Sequence, residues 1–444
     1  MKVGRLVLAG LLVGATLEIA GVSFAEHTAQ KPTRFNRTIA NNANQLFREG
    51  RRVFRHSTFA SEGFFGDALK LHEAVVGERF GGVGPGVSPE TALAVGLKVD
   101  SDRLPKSVKD AIAAGEVDLK DPATTVALLK LDAVVGVKMK FDEQGNATTM
   151  GVTCALCHSD VDDSFAPGIG KRLDGWPAQD LDVGTILSLS PDLQPVADYL
   201  HTDVDTVKTV LTSWGPGRYD AEVFLDGKAF RPDGGNASTL IPPAYGLAGV
   251  NLHTSTGFGS VTYWNAFVGN LEMHGKGSFY DPRLDDAEQF PLAAEYNLGH
   301  VQTPPDQDVI TKHLPALHYY QLSIPAPKPP AGSFDAAAAQ RGEVVFNQKA
   351  QCATCHVPPI FTEPGHNLHA PSEIGIDAFQ ADRSPTHAYR TTPLKGLWSH
   401  DERGFYHDGR FATLNDVVNH YDDFMELGLN DQEKSDLVQY LLSL

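Results

Sequence analysis

Two runs of the pattern Cys-x-x-Cys-His carry most of the chemistry open to this 444-residue chain: Cys154-Ala155-Leu156-Cys157-His158 and Cys352-Ala353-Thr354-Cys355-His356. All four cysteines fall inside them. Two thiols at this spacing add to the vinyl groups of a porphyrin while the adjacent imidazole reaches the iron, so each run is a signature of covalent c-type haem attachment. A redox dithiol pair, or one zinc site with four thiolate ligands, would use the same cysteines. Neither explains a histidine directly after both pairs. The motifs therefore predict two covalently bound haems, attached through Cys154, Cys157, Cys352 and Cys355, with the imidazoles of His158 and His356 reaching the irons.

The elements that must position these motifs can be read from periodicity. Residues 40 to 80 carry a helical apolar face, Leu46, Phe47, Val53 and Phe54, resumed by Phe64, Phe65, Leu69, Leu71 and Val75 after a break at Thr58 to Gly63. His56 and His72 lie in this stretch as outlying ligand candidates. Shorter helices are expected over Glu90 to Leu97, Lys106 to Gly115 and from Pro122, followed by a hairpin around Glu143-Gln144-Gly145-Asn146 that leads into the first motif. Asp160 to Trp176 reads as irregular loop, and Asp203 to Trp214 as a helix stopped by Gly215-Pro216-Gly217. Residues 215 to 310 are dense in Gly, Pro, Asn and aromatics, the composition of a loop-rich functional region. The extended Pro325 to Pro330 stretch then marks a boundary.

Around the second motif the pattern is clearer. A helix from Asp335 to Asn347 precedes it, with Gly342 allowing close approach of another helix. Thr413 with Asp416, and Asn430 with Glu433, read as capping devices for two terminal helices whose apolar faces are Leu414, Val417, Val418 and Tyr421, and Leu437, Val438, Leu441 and Leu442. The predicted fold class is mainly α: two cytochrome-c-like helical lobes with a long loop-rich insert. Its predicted divisions are residues 1–25, 26–330 and 331–444.

Residues 1–25 read as a secretory signal, with Lys2 and Arg5 at the start, an apolar run from Leu6 to Ala15, and Ser23-Phe24-Ala25 as a small-residue cleavage site. Export suits covalent haem attachment and predicts a periplasmic or secreted protein with no membrane span after signal removal. The formal charge is −18, and without Lys2, Arg5 and Glu18 the count is 35 basic against 54 acidic residues. Such a surface argues against nucleic acid and suits a basic redox-protein donor.

A family resemblance rests on Arg341-Gly342-Glu343 before Cys352, Val357-Pro358-Pro359 after His356, and the run from Tyr389 to His420, including Phe405-Tyr406-His407-Asp408-Gly409. Over residues 334 to 444 the chain resembles the bacterial dihaem cytochrome c peroxidase superfamily, which also contains the methylamine dehydrogenase maturation enzyme and the rubber oxygenases. The resemblance implies a reactive first haem and an electron-relaying second one. Where peroxidases place a methionine before the Tyr389 segment, this chain has His387-Ala388. The rubber-oxygenase pattern instead implies His407 as the second iron's outer ligand, with His387 and His420 behind it. No histidine lies between His158 and His201, so the expected distal ligand of the first iron is missing; His201, His253 and His274 are the remaining candidates.

The same resemblance assigns Trp264 as the electron bridge between haems and Phe279 as an apolar cover over the first. Glu272, with His274 nearby, is the expected acid or base for O–O bond cleavage. Calcium is a further family cofactor to which Asn265 or Asn270 would contribute, although no calcium loop of recognisable spacing is present. The resulting expectation is a peroxidase-like oxidoreductase using a small oxidant, peroxide or dioxygen. Its alternatives are a rubber-oxygenase-like dioxygenase and a bare electron carrier.

Overall fold

Local capping chemistry sets the frame of the second half. In a computed structural model that describes residues 33–400 and 403–444, Thr413 and Asn430 each accept a hydrogen bond from the backbone N–H three residues on. Asp416 and Glu433 return the favour to the capping residues' own N–H groups. Two of the otherwise orphaned donors at each helix start are thereby satisfied. The helices that follow run Leu414–Met425 and Asp431–Ser443. Asp335 caps the helix Ala336–Val344 in the same way. Gly342 on that helix faces Asp436 so closely that a Cβ would lie 2.0 Å from its carbonyl oxygen. Only glycine permits this crossing. Phe346, Leu414, Val418, Leu437 and Leu441 then fill the core around the second motif, each such burial being worth roughly 1.5–3 kcal/mol.

The first half is assembled from shorter pieces. The helix Arg34–His56 buries Val53 and Phe54, while Phe47, expected on its core face, is exposed and meets Tyr320 by a ring edge. Short helices follow at Pro89–Ala94, Lys106–Ala113 and Pro122–Lys130, close to their predicted spans. Val137–Phe141 and Ala147–Val152 form the expected antiparallel hairpin, pairing Val137 with Val152 and Met139 with Met150. Asp160 to Trp176 differs from the irregular loop anticipated: Ser159–Val161 pairs antiparallel with Arg172–Asp174. The ladder ties down a stretch whose Gly, Asp and Pro content hides any period-2 signal. The helix Val204–Trp214 is capped by Asp203 and ends at Gly215, where φ is +77°.

Helices predominate among the described residues, and every named strand pairs in a two-stranded ladder. No helix among them is long and apolar enough to cross a membrane. The described residues from Asn44 onward form one compact unit; the expected signal segment, residues 1–25, lies outside the described residues. Within that unit, the buried Arg383 joins the C-terminal part to the insert. Its guanidinium bonds Asp226 at 2.7 and 3.0 Å and pairs with Asp220 at 3.0 Å, with all three side chains essentially inaccessible.

Candidate functional site

The hairpin delivers the first motif. Thr153 N–H bonds the Gly136 carbonyl, and Gly136, at φ +77°, lies so close to Leu156 that a Cβ would fall 2.2 Å from its Cα. Cys154 to His158 then make a single helical turn, with His158 N–H bonded to the Cys154 carbonyl. The next strand and the loop after it hold the turn in place: Gly175 N–H bonds the His158 carbonyl, and Ala178 N–H that of Cys157.

His158 Nδ1 lies 3.1 Å from the carbonyl oxygen of Pro242, far along the chain. A carbonyl can only accept, so Nδ1 carries the proton and Nε2 presents a free lone pair. At the second motif His356 Nδ1 makes the same bond, at 3.1 Å, to the nearby Phe361 carbonyl. Both imidazoles are thus set in the tautomer an axial iron ligand requires. Burial lowers both, His158 to about 4, so each is neutral and fit to coordinate.

The two motifs line one cavity of about 820 Å³. Its wall includes Cys154, Cys157 and His158 on one side and Cys352, Cys355 and His356 on the other. All four thiols are free, and burial raises those of Cys154 and Cys157 to about 12. They are neither reactive thiolates nor converging zinc ligands. Among the described residues the one close group of three metal-ligating side chains is Cys355, Glu363 and His369. A pair of thiols, a set imidazole and an apolar enclosure suit a covalently attached haem at each motif.

On the second side, His407 lines the cavity with Nε2 buried and without a hydrogen-bond partner. Its ring stacks on Tyr389, with centroids 5.1 Å apart, its backbone carbonyl accepts from Leu240 N–H, and burial lowers it to about 4. A neutral imidazole nitrogen left unpaired in an enclosed space costs free energy unless something coordinates it. The other second-side candidates lack this feature. His387 is exposed beside Asp382, and His420 Nε2–H donates to the Ile374 carbonyl at 2.8 Å.

On the first side, Glu272 reaches the cavity and accepts a hydrogen bond from the Tyr219 hydroxyl at 2.5 Å. Burial, then the neighbouring Glu222 and Asp220, push its carboxyl well above the usual range, against the lowering effect of Tyr219. Its protonated form is therefore favoured relative to an ordinary carboxyl. His274 also faces the cavity, stacked on Phe64 at 3.7 Å and lowered by burial to about 4. His253 lines it with neither ring nitrogen paired. His201 is on the surface, bonded to Glu295. His56 sits outside the cavity beside Asp132 and Lys138, and the buried His72 does not line it either.

Trp264 lines the cavity from the helix Val261–Phe267, its Nε1 buried and unpaired, and its ring packs on Phe267 at 4.9 Å and Phe258 at 5.5 Å. Phe279 is not part of the cavity wall. It is buried in the adjacent aromatic cluster, against Tyr263 at 5.6 Å and Phe267 at 5.7 Å. Asn270 Nδ2 donates to the Ala266 carbonyl at 2.9 Å. Asn265 and Asn270 belong to no close group of carboxylates among the described residues.

Sequence reasoning missed Tyr219, the Pro242 carbonyl and Arg390. Arg390 is part of the motif run, but nothing in its spacing marks it as a cavity residue. Tyr219 and Pro242 carry no local signal, since each meets its partner only through long-range folding.

No family model matches the chain, and no curated protein matches it. Solved structures with partial likeness include a MauG-like protein associated with microbial copper homeostasis, at 17% identity and TM-score 0.32 over 52% of this chain and 78% of that one. The diheme peroxidase BthA from Burkholderia thailandensis E264 follows at 16% and 0.30, with the same coverage of 52% and 78%. Hydrazine synthase of Kuenenia stuttgartiensis is 20% identical at TM-score 0.22 over 34% of this chain. The match spans 59% of the hydrazine synthase chain, less than two thirds of it.

Proposed function

We propose that this chain is an exported dihaem c-type oxidoreductase of the peroxidase kind, which reduces peroxide on the Cys154–His158 side with electrons entering on the Cys352–His356 side. The observation that carries the reading is the shared cavity with unlike furnishing: an unpaired imidazole, His407, and a buried carboxyl, Glu272, held by the Tyr219 hydroxyl. Haem, when bound, supplies one-electron redox chemistry at iron. His158 and His356 would hold the two irons, and His407 would be a further ligand on the second side.

The chain's own residues then supply binding, electron transfer and protons. Glu272 donates a proton to the leaving oxygen as the O–O bond breaks, and Tyr219 positions its carboxyl. Trp264, wrapped in aromatic rings and facing the cavity, offers the electron a path between the two sides. The apolar wall excludes water from the reacting centre.

The test is peroxide turnover with a reduced dye donor across pH. Because Glu272 acts as an acid with a raised pKa, the rate is full below that pKa and falls as pH rises through it. Glu272→Gln is expected to lower the rate by roughly 10²–10⁴-fold and to remove that alkaline limb. A protein that turns over no peroxide but consumes dioxygen with an apolar substrate would instead favour the dioxygenase reading. That second reading has its own support, since the cavity wall continues past Leu156 to Leu93, Leu128 and Met150.

A further inference from the structure

Arg390 is half-buried and lines the cavity, and among the described residues no carboxylate is paired with it. Its Nη1 donates to the Leu252 carbonyl at 2.8 Å, and its own N–H bonds the Ser255 carbonyl at 2.9 Å. The side chain thus straddles the loop that carries His253. Its Nε has no partner, and neither ring nitrogen of His253 has one. His253 is only 7% exposed, and it too lines the cavity. Burial lowers Arg390 to about 10, and burial together with the Arg390 charge lowers His253 to about 3. The remaining titratable neighbour is His318, itself bonded to the Thr262 hydroxyl.

A guanidinium remains charged even here, and a buried charge without a partner is among the most costly arrangements a fold can keep. The unpaired Arg390 Nε–H and the single N–H of the neutral His253 ring, with Arg390 fixed by backbone bonds at Leu252 and Ser255, offer two donors to an anion with two acceptor oxygens. The buried Arg383, by contrast, has its carboxylates supplied by the chain.

We propose that Arg390 and His253 form a carboxylate-binding site on the cavity wall, and that its occupant is a propionate of the haem attached at Cys352 and Cys355. The position of Arg390 in the chain argues for that haem. The preceding Tyr389 stacks on His407, and the following Thr391 accepts through its carbonyl the hydroxyl of Thr362, a neighbour of Phe361, whose carbonyl orients His356. A free carboxylate substrate shares the same chemistry and is the competing source. This inference rests on the dihaem reading.

The test uses full-length haem-loaded protein. A pyridine haemochrome count of two haems per chain comes first, and a lower count in the parent overturns the dihaem reading on which the proposal depends. With two haems present, spectroelectrochemical titration of Arg390→Gln is expected to show the low-spin haem's midpoint potential lowered, because the lost cation no longer opposes the ferric charge. That potential should also become pH-dependent, rising as pH falls and the uncompensated propionate takes a proton, while the other haem's potential stays at the parental value. Arg390→Lys should restore most of the potential, and His253→Gln should shift it in the same direction by less, which keeps the proposal testable if Arg390→Gln fails to fold. Unmoved low-spin potentials in these variants overturn the proposal. So does a parental spectrum that responds to acetate or benzoate and loses that response in Arg390→Gln with both potentials unchanged, since a free carboxylate would then be the occupant.

Discussion

The two Cys-x-x-Cys-His motifs are alike in sequence and in the tautomer of their histidines, yet they reach that state by different routes. His356 is oriented by the carbonyl of Phe361, five residues on. His158 is oriented by Pro242, 84 residues away. The second motif is packed by C-terminal helices whose caps are local. The first is a site assembled from a hairpin, a short ladder and a distant loop. Their surroundings differ to match: a spare imidazole stands at the second, and an acid with its tyrosine stands at the first. A motif therefore specifies attachment, while the long-range fold specifies what the attached group is for.

Removing one motif at a time tests that division most severely. Cys352→Ala/Cys355→Ala is expected to leave one haem per chain that still binds carbon monoxide, and Cys154→Ala/Cys157→Ala one haem that does not. Haem-to-protein ratios and carbon monoxide difference spectra read both; the opposite pattern would exchange the roles of the two sides. His407→Ala sharpens the same contrast at a single residue. One of the two spectra should pass from low-spin to high-spin while the other is unmoved, and an unchanged absorption spectrum removes His407 as a ligand.

A smaller effect probes the scaffold of these C-terminal helices. Gly342→Ala forces a Cβ to within 2.0 Å of the Asp436 carbonyl, so denaturant unfolding should show a loss of about 1–3 kcal/mol. Gly63→Ala, where a Cβ meets nothing within 4 Å, should stay within about 0.5 kcal/mol of the parent. Equal losses at the two positions would remove close helix approach as the reason for Gly342.

What could be read from residues alone follows the same divide. The capping pairs Thr413 with Asp416 and Asn430 with Glu433 and the hairpin before Cys154 were legible because each depends on neighbours within a few residues, and the close approach at Gly342 because a glycine inside a helical pattern marks it. Trp264 was reached through the family resemblance and Glu272 through its nearness in sequence to Trp264, and both face the cavity. Phe279 was expected over the first haem and instead packs in the aromatic cluster behind Trp264; an apolar ring carries no mark that separates a cavity wall from a core. His201 fails as a ligand candidate for a related reason: a histidine in sequence says nothing of the Glu295 that claims it at the surface. Tyr219 and Arg390 acquire meaning only when residues far apart in the chain meet.

The Arg383 cluster bears on how anything enters. One inaccessible guanidinium ties the insert at Asp220 and Asp226 to the C-terminal part. Parting that seam would leave unpaired charges in a dry interior, at a cost of about 3–5 kcal/mol. Swinging the insert outward like a door is therefore a poor route to the cavity. Access that keeps this seam intact runs instead through side-chain motion around it, a route that selects by size before any residue selects by chemistry.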